Sequence, residues 1–259
     1  MISLMPNPLI TPDKIRVLKE SIIGVHCKGM CKKSGSIITN GVFEDCSCVS
    51  VFRDQVLFLS ANIPDKYFKF DLRNLTKRFS DDNPVALSII KNYIVKLPDM
   101  IQEGIGLFIE GESGLAKSSL GVYILKEAVK KQKTCFYIRM SNLTKFLFDS
   151  NSKMTEEGEY AQSIVNWIRE EVDLLMIDEI DKDYKLDNPN SFLGSLVNDF
   201  FGYVYDSNKS LIVTSNKTKQ SLKGIHADNV IDRLEELADV ILIGTSFRNP
   251  KDALTRIMK

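Results

Sequence analysis

Apolar and polar residues alternate in blocks along most of the chain after residue 104. Short, almost wholly apolar runs such as LLMI and LIV recur there, and segments with helical spacing separate them. Continuous apolar runs of this length are typical of strands buried on both faces, and strands that alternate with helices form a parallel sheet between helical layers. The pattern predicts an α/β fold with strands at 105–110, 135–140, 172–180, 210–216 and 240–244.

Helical spacing predicts the intervening elements. In the segment 118–131, Leu120, Ile124 and Ala128 fall on one stripe. Other helices are predicted at 11–23 with Thr11 as N-cap, 83–95, 141–148 with Ser141 as N-cap, 160–171, 191–206 and 229–237. The run VSVFRDQVLFL, at 49–59, is rich in β-branched and aromatic residues and predicts a strand.

Composition restricts the class of protein. The 259 residues carry 34 basic and 34 acidic side chains, and this balance argues against a generally basic surface that wraps duplex DNA. No run reaches the roughly 20 apolar residues that a membrane helix needs, and the first residues do not resemble a signal peptide. We therefore expect a cytoplasmic protein with no membrane partner.

A phosphate-binding motif, GESGLAKS, lies between the first of these strands and the next helix. That context is the one a P-loop requires, because backbone N–H groups and the helix N-terminus then face the phosphates. Lys117 would reach the β- and γ-phosphates and Ser118 would ligate Mg²⁺. The alternative is an ordinary glycine-rich turn. The predicted ATP-binding residues are Gly111, Glu112, Ser113, Gly114, Leu115, Ala116, Lys117, Ser118, Ser119 and Asp178.

Ala116 departs from the motif, which usually has glycine before the lysine. Alanine costs little there if φ is negative, whereas a positive φ would strain the loop.

Polar residues follow two other predicted strands. Asp178 and Glu179 end the run LLMI, and ligands bind at the carboxyl ends of parallel strands. Asp178 would hold Mg²⁺ through water, and Glu179 would activate the attacking water. Asn216 leaves the next strand and could contact the γ-phosphate or that water, although asparagine is also a common turn residue.

Two arginines near the end of the chain could stabilise charge on the transferring phosphoryl group. Arg233 lies on the predicted helix 229–237, and Arg248 follows the last strand. The alternative role is surface ion pairing, for example of Arg233 with Glu236 or Asp239.

Four cysteines cluster near the N-terminus in the spacing C-x3-C-x14-C-x-C. Two close pairs around a glycine-containing loop suit a tetrahedral structural zinc site formed by Cys27, Cys31, Cys46 and Cys48. The C-x-C pair is tighter than usual, and His26 could replace one ligand. The alternative is a set of reduced, non-ligating thiols in a small core. The fifth cysteine, Cys135, is expected in the core of the sheet.

The ordered set GESGLAKSS, LLMIDEID, LIVTSN, VIDRLEEL and SFR resembles the AAA+ helicase loaders of the DnaC/DnaI type. The IstB-type transposition ATPases share it, and ANIPDKYF, at 61–68, resembles the segment that precedes the ATPase core in both. The resemblance implies an AAA+ ATPase without a C-terminal helical lid. It also implies that Arg233 is the arginine finger and Arg248 the second sensor.

The expected domains are a cysteine-rich zinc module at 1–60, a connector at 61–100 and an AAA+ ATPase domain at 101–259. By resemblance, ATP binding would assemble subunits side by side, and the assembly would hold single-stranded DNA and the replicative helicase. Two other functions stay open: an IstB-like transposition ATPase that assembles on duplex DNA, and a nucleotide-binding adaptor that does not hydrolyse ATP.

Overall fold

A computed structural model describes residues 10–39, 42–152, 155–182, 188–244 and 246. Its N-terminal part contains two helices and an antiparallel hairpin. They are α1 (Pro12–Ile22), β1 (Ser36–Thr39), β2 (Val42–Asp45) and α2 (Ser47–Ser60). The predicted cap of α1 is confirmed, because the side chain of Thr11 accepts a hydrogen bond from the backbone N–H of Lys14.

The prediction of a strand at 49–59 was wrong, because this segment is the helix α2. Apolar side chains at Cys48, Phe52 and Val56 recur every four residues; Cys48 and Phe52 pack in one core, and Val56 is buried. Burial of this stripe outweighs the weak strand preference of β-branched and aromatic residues, which depends on context.

The segment between α2 and the sheet is mostly helical. It begins with two short 3-10 turns at Asp65–Tyr67 and Leu72–Asn74. Three helices follow: α3 (Lys77–Asp82), α4 (Pro84–Val95) and α5 (Leu97–Gln102). The predicted helix at 83–95 is thus confirmed as α4.

The remaining elements alternate as the apolar pattern predicts. They are β3 (Leu107–Gly111), α6 (Lys117–Lys130), β4 (Cys135–Arg139), α7 (Met140–Asp149), α8 (Glu156–Glu171), β5 (Leu174–Asp178), α9 (Phe192–Asp206), β6 (Ser210–Ser215), α10 (Asp228–Glu235) and β7 (Ala238–Leu242). The five strands form one sheet in the order β4-β5-β6-β3-β7, and every pairing is parallel. The predicted α/β architecture is confirmed.

Both faces of the sheet are covered, which explains the continuous apolar runs. Leu107 and Ile109 pack with α4 and α6 on one face, whereas Phe108 points to α9 and α10 on the other. Cys135 lies in the first of these cores, as predicted. None of the described helices is long and apolar enough to cross a membrane.

Helix α7 differs from its prediction at one end. It begins at Met140 with Arg139 in the N-cap position, so Ser141 lies within the first turn and does not cap the helix. The strand β4 leads directly into the helix, which leaves no separate linker residue for a cap.

Candidate functional site

A cavity of about 420 Å³ opens at the carboxyl edge of the sheet. The P-loop residues Ser113, Gly114 and 116–119 form one side of it. The residues after β5 and the end of β6 form a second side. Parallel α/β sheets bind ligands at this edge, and the predicted phosphate-binding residues lie there.

The P-loop bends sharply between β3 and α6. Gly114 has a φ of +90°, and a Cβ atom there would collide with the side chain of Ser246. Leu115 is buried and anchors the loop in the core. Ala116 has a φ of +57° in the left-handed region, so the strained alternative is the one the loop adopts.

We expect Ala116→Gly to raise the free energy of unfolding by up to about 1 kcal/mol, because glycine adopts a positive φ without the Cβ clash. Chemical denaturation would measure the change. Ala128→Gly, in the interior of α6, is the control and should lower stability, because glycine is unfavourable in a right-handed helix. Equal destabilisation by both substitutions would contradict strain at Ala116.

Lys117 is folded back onto its own loop. Its Nζ donates hydrogen bonds to the carbonyl oxygens of Gly111 (2.7 Å) and Glu112 (2.8 Å) and to Oδ1 of Asn216 (2.8 Å). The side chain is buried, and this burial lowers the pKa of the ammonium. The ammonium is therefore held beside the phosphate-binding turn, where an anion would replace weak carbonyl partners.

Ser118 and Asp178 meet, as a shared Mg²⁺ site would require. The Ser118 hydroxyl donates to Oδ1 of Asp178 (2.7 Å), and the Thr214 hydroxyl donates to the same oxygen (2.6 Å). Asp178 is only 1% exposed. The carboxylate is thus fixed by hydrogen bonds before any ligand arrives.

Tyr137 holds the second oxygen of Asp178, a role that no motif in the sequence predicts. Its hydroxyl donates to Oδ2 of Asp178 (2.7 Å), and the Nε of Arg139 lies 3.4 Å from that hydroxyl. Burial, followed by the Asp178 charge, raises the pKa of Tyr137 well above its usual value. The phenol therefore stays a donor, and Asp178 cannot rotate freely.

Glu179 lines the cavity beside Asp178. Its φ of +59° turns the chain sharply after β5, and its backbone N–H donates to Oγ1 of Thr214 (2.9 Å). Its carboxylate accepts from Nζ of Lys182 (2.6 Å). The carboxylate faces the cavity but is engaged by a cation in this state.

Asn216 connects two sides of the site. Its Oδ1 accepts from Lys117, while its Nδ2 donates to Oδ2 of Asp181 (2.8 Å). Its backbone N–H donates to the other oxygen of Asp181 (2.9 Å). Asp181 therefore orients the amide so that its oxygen points to the P-loop lysine, which is more than turn chemistry requires.

Arg233 lies away from these groups. Its guanidinium donates to Oδ1 of Asn198 (3.2 Å) and lies over the ring of Tyr205 (5.9 Å), both on α9. Of the described residues, those that line the cavity do not include it. The suggested partners Glu236 and Asp239 accept from Tyr205 and Lys219 instead. Arg248 lies outside the described residues. The same is true of the positions that bear on the expected absence of a C-terminal lid.

The four N-terminal cysteines form a compact cluster. All are buried, and their Sγ atoms lie within 4.8 Å of one another, with Cys27 and Cys31 3.5 Å apart. Tetrahedral zinc with Zn–S bonds of about 2.3 Å would place its sulfurs about 3.8 Å apart. A backbone hydrogen bond from Cys31 lowers the pKa of Cys27 to about 6. The cluster could bind a metal ion, whereas His26 is exposed and outside it.

No protein-family model and no curated protein matches this sequence. Solved structures do match its fold. The DnaC helicase loader aligns with a TM-score of 0.52 at 18% identity over 65% of this chain and 100% of that one. DnaI aligns with a TM-score of 0.53 at 18% identity over 71% of this chain and 94% of that one. The chain has an AAA+ P-loop fold.

The AAA+ likeness extends to initiators. AMPPCP-bound DnaA from Aquifex aeolicus aligns with a TM-score of 0.53 at 21% identity over 69% of this chain. The chain spans about half the length of that DnaA and of a DNA replication initiation factor, at 50% and 53% respectively. The resemblance of the sequence motifs to the DnaC/DnaI type is thus confirmed at the level of the AAA+ fold.

Proposed function

We propose that this protein is an ATP-dependent loader that delivers a hexameric replicative helicase to single-stranded DNA. The support is the phosphate site, where hydrogen bonds join Lys117 to Asn216 and Ser118 to Asp178. The fold around this site matches the whole length of the DnaC structure. Because the similar solved structures include a helicase loader, we favour a replicative helicase as the partner.

ATP would bind with its triphosphate on the P-loop and its base at the other end of the cavity. Tyr67, Phe70 and Leu75 also line the cavity, and they offer the aromatic and apolar surface that a nucleobase needs. Ser118 and Asp178 would hold Mg²⁺, which supplies neutralisation of the phosphate charge. Lys117 would exchange its loop carbonyls for phosphate oxygens.

Hydrolysis would depend on Glu179, the carboxylate that faces the cavity. It would accept a proton from the attacking water once its ion pair with Lys182 opens. Asn216 would orient that water, and Arg233 and Arg248 would stabilise the developing charge. We propose that Arg233 acts in the site of a neighbouring subunit. Its guanidinium contacts Asn198 and Tyr205 on α9, and it does not line the cavity of its own chain.

The cysteine cluster would hold a structural zinc ion in the proposed module 1–60. Four thiolates leave no open position, so the site would stabilise the fold and carry no catalysis. The connector 61–100 and the ATPase domain 101–259 complete the proposed division of the chain.

We expect about one zinc ion per chain in protein purified without a histidine tag, measured by elemental analysis. Cys48→Ser should lose the metal, because it removes one of four ligands, whereas Cys135→Ala should retain it as the control. A native protein with four titratable N-terminal thiols and no zinc would rule the site out.

Co-purification with a replicative helicase tests the loader function directly. Nucleotide-dependent capture of the helicase, lost in Lys117→Ala, would support it. Capture of a transposase on duplex DNA would instead support the IstB-like function. Helicase binding without any ATP turnover would indicate the nucleotide-binding adaptor. The strained backbone of Ala116 and the ion pair of Glu179 with Lys182 favour that alternative.

A further inference from the structure

A second lysine of the P-loop helix is buried away from the phosphates. Lys126 lies nine residues after Lys117 on α6 and is 5% exposed. Its Nζ donates to the carbonyl oxygens of Phe68 (2.8 Å) and Phe70 (2.7 Å) and lies 3.4 Å from that of Tyr67. One ammonium thus gathers three carbonyls of a segment about 58 residues earlier in the chain.

This segment lines the same cavity as the P-loop. Lys66, Tyr67, Phe70, Asn74 and Leu75 all line it. The segment contains only two short 3-10 turns, and no strand of the sheet pairs with it. Its position therefore depends on side chains that reach it from the ATPase core.

Lys126 is one such side chain. Its charge also lies over the ring of Phe58 (5.1 Å), and Phe58 in turn packs edge-to-face on Phe68 (5.7 Å). Without the ammonium, the carbonyl oxygens of Phe68 and Phe70 would lose this donor, whereas that of Tyr67 would keep the backbone N–H of Phe70 (3.0 Å). Buried acceptors that lose their donor are costly, so the segment would move to find water.

We propose that Lys126 is a positioning residue that fixes residues 66–75 as the wall against which the nucleoside part of ATP binds. The proposal rests on the proposed nucleotide site. It assigns to one helix two separate tasks: its first residue binds the phosphates, and its tenth residue shapes the far end of the cavity. The phosphate site itself needs no contact with Lys126.

The test compares two ligands in Lys126→Met, which keeps the chain length and removes the donors. ATP spans both ends of the cavity, whereas inorganic tripolyphosphate reaches only the P-loop. We expect the dissociation constant for ATP to rise by about tenfold or more and that for tripolyphosphate to change by less than about twofold. Isothermal titration calorimetry, with Mg²⁺ present, measures both.

Lys209→Met is the matched control. Lys209 is half-buried, and it also donates to a backbone carbonyl, that of Val172 (2.7 Å), but it lies before β6 at the opposite edge of the sheet. It should leave both dissociation constants unchanged. If Lys126→Met does not fold, Lys126→Gln retains part of the donor set, and a split of about threefold between the ligands is expected.

Equal weakening of both ligands, or no weakening of either, in the folded variant would overturn the positioning role. Failure of the wild-type protein to bind both ATP and tripolyphosphate would instead overturn the nucleotide site on which the role rests. Wild-type binding of the two ligands with equal affinity would show that the wall makes no contact with the nucleoside, and would also overturn the proposal.

Discussion

Lys117→Ala is expected to abolish ATP binding, with a loss of affinity of about a hundredfold or more. The Lys117 ammonium is already placed beside the phosphate turn by the carbonyls of Gly111 and Glu112 and by Asn216. Its removal leaves the bend of the loop intact but deprives the triphosphate of the cation that the loop presents. Titration with a fluorescent ATP analogue measures the effect.

The control for this substitution comes from the same cavity. Lys182 also lines it but is paired with Glu179 and contacts no P-loop residue among its described hydrogen bonds. Lys182→Ala should keep ATP affinity within a few-fold of the native value. Similar losses for both lysines would show that general positive charge, and not the P-loop geometry, binds the nucleotide.

Arg233→Ala and Glu179→Gln should each lower ATP turnover by roughly 10³-fold or more while sparing nucleotide affinity. Glutamine cannot accept the proton from water, and loss of the arginine removes charge stabilisation in the neighbouring site. Because Arg233 is held by Asn198 and Tyr205 on α9, it should act only in trans. A mixture of the two variants should regain turnover, since some sites then combine an intact Glu179 with an intact Arg233.

Arg169 provides the matched control for the arginine. Its guanidinium also lies over aromatic rings of α9, those of Phe200 (5.9 Å) and Tyr203 (5.4 Å), but no role in turnover is proposed for it. Arg169→Ala should retain turnover per folded molecule, measured by phosphate release. If the mixture restores nothing while the two variants still associate, the side-by-side arrangement is wrong.

The sequence predicted the sheet and the phosphate site because both depend on local patterns. Apolar runs predict buried parallel strands, and the motif around Lys117 occurs between a strand and a helix in P-loop proteins. The error at α2 arose where β-branched and aromatic residues lie on a helical stripe that only the tertiary packing reveals.

The contacts of Tyr137 and Lys126 could not be predicted for a different reason. Each joins residues about 41 to 59 positions apart, and neither belongs to a motif with a fixed spacing. Thr214 could have been predicted as a site residue, because it lies two residues before Asn216 in the run LIVTSN. The sequence allows either sign of φ at Ala116, and only the folded loop, with φ of +57°, decides between them.

Helix α2 belongs to two packed interiors at once. Cys48, near its first turn, is in the cysteine cluster, and Phe58, in its last turn, is in the core that contains α6. Fourteen helical residues form a rod of about 21 Å, too short and regular to act as a flexible tether. Unfolding of the cysteine cluster would therefore disturb the packing of Phe58 in the core that contains α6. The cysteine-rich segment and the sheet should unfold in one cooperative transition, and a metal ion bound at the proposed site would raise the thermal stability of both.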